Sequence, residues 1–153
     1  MTSTPSPGSV EYNTTLIREI TEKAFNEGDL SGIDAHFAPD YVVHAPGLPP
    51  QDPGPESFRQ AVLLWRTAFP DVHVTVEDVA GQDERVYARF TTRGTHQGRL
   101  FDIPPTGKPV TVHEMSCHRV VGGKVVESWI GDNVPRILLD IGALRPAGPP
   151  AGH

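Results

Sequence analysis

A single cysteine, Cys117, stands among 153 residues, which excludes an internal disulfide framework and a cysteine-based zinc site. Positive charge is scarce as well: Lys and Arg number 13 against 19 Asp and Glu, a formal net charge of -6, and there is no basic run. Attraction to a phosphate backbone has little to work with, so nucleic acid is not an expected partner. No stretch approaches the roughly 20 apolar residues of a membrane span. The opening Met1-Thr2-Ser3-Thr4-Pro5-Ser6-Pro7-Gly8 lacks both a basic and an apolar leader segment. A cytoplasmic protein with no membrane partner is the expectation. The seven histidines include no His-x-His pair, and His113 and His118, five apart, point to opposite faces of one regular strand, so no metal site is expected. Gly-x-Ser-x-Gly, phosphate-loop and dinucleotide fingerprints are missing too, which argues against α/β-hydrolase, nucleotide and nicotinamide readings.

What is present fits one domain. A chain of 153 residues with 37% hydrophobic content can bury a core and enclose a small ligand, but has no room for a second domain. Both ends are rich in Pro, Gly and Ser, so residues 1–10 and 145–153 read as disordered tails flanking a domain over 11–144. From about Tyr12, Leu16, Ile17, Ile20 and Ala24 recur at helical spacing, with Gly28 as a C-cap. A short second helix follows Asp29, with Ile33 and Phe37 turned inward, and Tyr41-Val42-Val43 is a brief strand. The segment Pro46 to Pro55 holds five prolines and two glycines, a loop that neither helix nor ladder can continue. Pro55 opens a third helix carrying Phe58, Val62, Trp65 and Phe69 on one stripe, and Pro70 stops it.

The period then changes to two. Val72, Val74 and Val76, then Val86, Ala88, Phe90 and Thr92, then Val110 to Val121 and Lys124 to Ile130 read as four antiparallel strands. Pro135 to Gly142 reads as a short closing helix. Helices first and strands after is the α+β pattern.

Six fragments, in order, carry a family resemblance across roughly residues 12–144. They are Phe25-Asn26-Glu27-Gly28-Asp29, Pro39-Asp40-Tyr41-Val42, Phe69-Pro70-Asp71, Gly94-Thr95-His96-Gln97-Gly98, Pro104-Pro105-Thr106-Gly107-Lys108 and Gly123-Lys124-Val125-Val126-Glu127-Ser128-Trp129. The chain resembles the SnoaL-like polyketide cyclases of the NTF2-like superfamily. The resemblance implies an α+β cone, a curved antiparallel sheet closed by three N-terminal helices around one deep apolar pocket, with a homodimer through the convex sheet face. It implies cofactor-free acid/base chemistry on a small polyketide-like molecule, such as an intramolecular aldol closure. A dehydratase, isomerase or epoxide-opening enzyme on the same scaffold is the nearest alternative, and a non-catalytic small-molecule-binding protein the alternative from another class. Laid on such a cyclase without gaps, the family's acid/base carboxylate falls on Ile130 and its partner histidine on Ser116.

Side-chain direction decides which residues reach the pocket. A three-residue turn at Val121-Gly122-Gly123 pairs Val120 with Lys124 and sets Glu114 opposite Ile130, Ser116 opposite Ser128 and His118 opposite Val126. One face then carries Val112, Glu114, Ser116 and His118 with Val126, Ser128, Ile130 and Asp132; the other carries His113, Met115, Cys117, Arg119 and Trp129. A two-residue turn at Gly122-Gly123 would move Asp132 to the second set. The candidate catalytic residues are Asp132, Glu114, His118 and His44, the last leading from the short strand into the Pro-rich loop. Two carboxylates close together in an apolar cavity do not both ionise easily, which gives Glu114 and Asp132 the makings of an acid/base pair. Against this, Asp132 also suits a helix cap, and His118 the end of a hairpin in water. The candidate substrate-binding residues are Trp65, Phe69, Phe90, Ser116 and Ile130. His96 reads as structural and Cys117 as a small hydrophobe.

Overall fold

The structure is a computed structural model, described over residues 3–148; residues 1–2 and 149–153 of the expected tails lie outside it. Helix α1 (Val10–Glu22) starts where Ser9 Oγ accepts the Tyr12 N–H at 3.1 Å, and it buries Leu16 and Ile17. Its last turn widens into a π-turn (Lys23–Glu27) that ends at Gly28, φ +69°, as the sequence suggests. Any side chain there would also meet the Arg66 guanidinium, which is held by the Phe25 carbonyl at 2.7 Å.

Helix α2 is a single turn (Ile33–His36), and the chain passes straight into strand β1 (Phe37–His44). Phe37 therefore belongs to a strand, not to the second helix. Pro39 explains the change, because it pushes Ala38 out of helical conformation. After the Pro-rich loop come α3 (Glu56–Ala68), β2 (His73–Gln82), β3 (Arg85–Thr95), β4 (Pro109–Val121), β5 (Lys124–Gly131) and α4 (Val134–Asp140).

The five strands lie in the order β1-β5-β4-β3-β2. Four form the expected meander, but β1 runs parallel to β5, so the sheet is mixed and not wholly antiparallel. Parallel neighbours need a long crossover, and everything from α3 to β4 supplies it. A register shift between Val76 and Asp78 bends the β2–β3 ladder.

The β4–β5 hairpin departs from the expected register. Its turn has two residues, Gly122 and Gly123, both at positive φ, so Val121 pairs with Lys124 and Val120 with Val125. By itself that turn would flip β5. A shift between Arg119 and Val120 flips it back, so Arg119 faces Glu127, His118 faces Ser128 and Ser116 faces Ile130. Ser128 and Ile130 thus share the inner face with Glu114, Ser116 and His118, as expected, but Val125 takes the inward place assigned to Val126.

Two core clusters form. Leu16, Ile17, Phe37, Tyr41, Val86 and Val125 pack at the hairpin end, while Phe69, Val72, Leu100, Val112, Ile137 and Ile141 pack under α4. The Gly-Thr-His-Gln-Gly corner docks on the end of α3: Gln97 and Gly98 N–H groups both reach the Ala68 carbonyl, and a Cβ on Gly98 would strike the Thr67 carbonyl. His96 is wholly buried there, its Nδ1 accepting the Thr106 N–H at 3.2 Å. Among the described residues, no helix is long and apolar enough to cross a membrane.

Candidate active site

Between the two core clusters lies a cavity of about 420 Å³, bounded by α1, α3, the inner face of the sheet and the Pro-rich loop. That volume is in the range of small-molecule sites. Its wall is mostly aromatic and aliphatic. Trp65 and Phe69 stack at 6.3 Å and line it together with Phe90, and Leu48 and Pro49 of the loop form part of its rim. Ser116 and Ile130 also line it, directly paired across β4 and β5, so all five expected substrate-contacting residues reach the cavity.

Among the polar residues on this wall, Glu114, Ser116 and His118 stand at alternate positions of β4, with Thr92, Tyr41 and Ser128 beside them. Glu114 accepts from Thr92 Oγ1 at 3.1 Å and from the Asn133 N–H. Burial is the main force on its carboxyl, and the nearby Asp132 carboxylate adds to it, so its pKa is pushed up to about 7 against the hydrogen bonds that favour the charged form. At neutral pH it is divided between acid and carboxylate, the condition a group needs to take a proton and return it.

Two residues further along, Ser116 Oγ lies 2.9 Å from His118 Nε2, and Ser128 Oγ lies 2.7 Å from His118 Nδ1. Burial lowers the His118 pKa to about 4, so the ring is neutral at physiological pH. Tyr41, 2% exposed, hydrogen-bonds Ser128 in turn, and burial raises its phenol to about 12. Neither Tyr41 nor Ser128 was singled out from sequence as chemical. Their only signal was the inward parity of Ser128 beside His118.

The other two candidates sit elsewhere. Asp132 follows the end of β5, next to Glu114 but outside the cavity wall, and its Oδ2 accepts the Gly47 N–H at 2.9 Å. A Cβ on Gly47 would collide with the Asp132 carboxylate, so the glycine lets the loop close onto it. His44, expected at the pocket mouth, lies on the outer face, where it pairs with Trp129, stacks on its ring at 5.4 Å and meets Glu127 Oε2 at 2.7 Å. The register of β1 on β5 forces this, since partners across a ladder point the same way. Among the described residues, no group of three or more His, Cys, Asp or Glu side chains is placed to hold a metal ion.

The family model for SnoaL-like polyketide cyclase matches residues 15–139. The nogalonic acid methyl ester cyclase of Streptomyces nogalater is 31% identical over 104 residues, 67% of this chain and 77% of the relative. Among solved structures, AclR, a candidate hydroxylase of Streptomyces galilaeus, superposes with a TM-score of 0.75 at 31% identity, covering 93% of this chain and 87% of that one. IdmH, a candidate polyketide cyclase of Streptomyces antibioticus, gives 0.73 at 31% identity over 85% and 98%. The chain belongs to the SnoaL-like polyketide cyclase family.

Proposed function

We propose that this chain closes a ring in a polyketide-like ketone by an intramolecular aldol addition, with Glu114 as acid and base and no cofactor. The observation that carries this is the Glu114 carboxyl on an apolar cavity wall with its pKa near 7. Glu114 carboxylate takes a proton from the carbon beside a carbonyl. The resulting enolate carbon attacks a second carbonyl carbon of the same molecule, forming the C–C bond. The alkoxide left on that second oxygen recovers the proton from Glu114, so the product is an isomer of the substrate. Asp132 keeps a role beside this one: it raises the proton affinity of Glu114 and holds the loop at the rim. The working unit is a cytoplasmic homodimer. A second copy covers the outer sheet face, where Tyr87, Met115 and Trp129 are 48%, 63% and 39% exposed.

The test is incubation with nogalonic acid methyl ester and aklanonic acid methyl ester, the compounds named for the relatives. A product of unchanged mass and altered retention is expected, formed about 10²- to 10⁴-fold more slowly by Glu114→Gln. An unaffected Glu114→Gln rate would remove Glu114 from the chemistry. A product heavier by one oxygen would favour a hydroxylase, the activity suggested for AclR. Binding without turnover would favour the binding-protein reading.

A further inference from the structure

Removing a proton beside a carbonyl places negative charge on the carbonyl oxygen, and a base alone does nothing for that oxygen. The groups below Glu114 on the same wall bear on it. A neutral imidazole has one N–H and one lone pair. His118, held between Ser128 and Ser116, must therefore accept from one hydroxyl and donate to the other.

Two observations set the direction. The buried Tyr41 hydroxyl bonds Ser128. A phenol, titrating near 10, is a far better donor than an aliphatic alcohol and a poorer acceptor, so Tyr41 donates and Ser128 Oγ accepts. The proton of Ser128 is then free for His118 Nδ1. The lengths run the same way. Bonds from O–H donors cluster near roughly 2.7–2.8 Å and those from N–H donors near roughly 2.9–3.0 Å, against 2.7 Å on the Ser128 side and 2.9 Å on the Ser116 side. His118 thus carries its proton on Nε2 and gives it to Ser116 Oγ. The proton of Ser116 itself is left for the cavity that this side chain lines.

We propose that Ser116 is the oxyanion-binding residue of the cavity, its O–H turned toward the substrate by a one-way hydrogen-bond chain from Tyr41 through Ser128 and His118. The role rests on the enolate reading given above; the direction of the chain does not. Glu114 and Ser116 are two residues apart on one strand face, about 6.6 Å at about 3.3 Å per residue. An enolisable ketone fits that interval, its α-carbon toward Glu114 and its oxygen toward Ser116. Tyr41, Ser128 and His118 also line the cavity, but in this hydrogen-bond chain they act as positioning residues, since their part is to set the direction of the Ser116 O–H.

The direction is read by long-range ¹H–¹⁵N correlation on the full chain labelled at histidine, with His118 assigned from the spectrum of His118→Gln. The expected result at neutral pH is a neutral His118 protonated on Nε2, with Tyr41→Phe shifting it toward a mixture of tautomers. A ring protonated on Nδ1, or charged, overturns the proposal. The oxyanion contact is read with 2-tetralone, a bicyclic enolisable ketone, and tetralin, its hydrocarbon counterpart, titrated by tryptophan fluorescence. Ser116→Ala is expected to weaken 2-tetralone about fivefold, the value of one hydrogen bond, and to leave tetralin unchanged. Equal effects on both probes, or none on 2-tetralone, overturn it. A Glu114→Gln variant that fails to slow turnover would defeat the proposed base while leaving the His118 tautomer and the tetralone difference as they are.

Discussion

Glu114→Gln should make the protein more stable in alkaline solution, although it is proposed to remove the base. Glu114 titrates near 7 in the folded chain against 4.5 for the unperturbed group. Below about pH 4.5 the carboxyl is protonated in both states, and folding loses nothing. As pH rises, the unfolded chain releases its proton first, so stability falls until the folded group also ionises and the loss is complete above about pH 8. At about 1.4 kcal/mol per pH unit, the interval from 4.5 to about 7 sets a ceiling of about 3 kcal/mol.

Glutamine keeps the shape, accepts from Thr92 Oγ1 as the acid does, and cannot ionise. Urea denaturation of parent and variant across pH isolates the effect, because titrating groups that do not interact with Glu114 are common to both and cancel in the difference. The stability advantage of the variant should grow by about 2 kcal/mol between about pH 5 and about pH 8.5. A difference that stays flat over that range would show that Glu114 is well solvated and ordinary, and both its burial and its proposed role would fall with it.

His118 gives the mirror case: its folded pKa near 4 lies below the ordinary 6.5, so it contributes stability present above pH 6.5 and lost as pH falls toward 4. His118→Asn should lose less stability than the parent, by up to about 3 kcal/mol, over that acid interval in the same denaturation experiment. Trp65→Ala should cost about 3 kcal/mol, because the ring packs on Phe69 but turns part of its surface to the cavity; an unchanged urea midpoint would show that it is only a pocket wall. Light scattering should give twice the 16.6 kDa chain mass, and Met115→Glu, which sets a charge in the middle of the outer face, should shift it toward the monomer. A parent at monomer mass at micromolar concentration rules the interface out.

The sequence made the elements legible wherever local chemistry decides them. Gly28 ends the first helix, Pro70 follows the third, and the period-two run on β4 puts Glu114, Ser116 and His118 on the inner face. It failed where a contact from a distant segment decides. His44 looked like a pocket residue because the Pro-rich loop follows it, but its direction is set by Trp129, 85 positions later, through a parallel pairing that no local pattern announces. Asp132 looked like the base because it is the one carboxylate on the inward run of the last strand, yet its direction depends on Gly47, whose amide it binds.

The hairpin shows the limit most clearly. Gly122-Gly123 fits either turn length, and the irregularity after it falls among Val125, Val126 and Glu127, where two consecutive β-branched residues suit a strand equally well on either face. Two deviations from the assumed pairing, the shorter turn and the shift beyond it, cancel in parity. Ser128 and Ile130 therefore reached the inner face through the wrong partners, with Ser116 opposite Ile130 and not Ser128. That single exchange matters chemically. It brings Ser128 level with His118, and only in this register do the two serine hydroxyls bracket the imidazole and give it a direction.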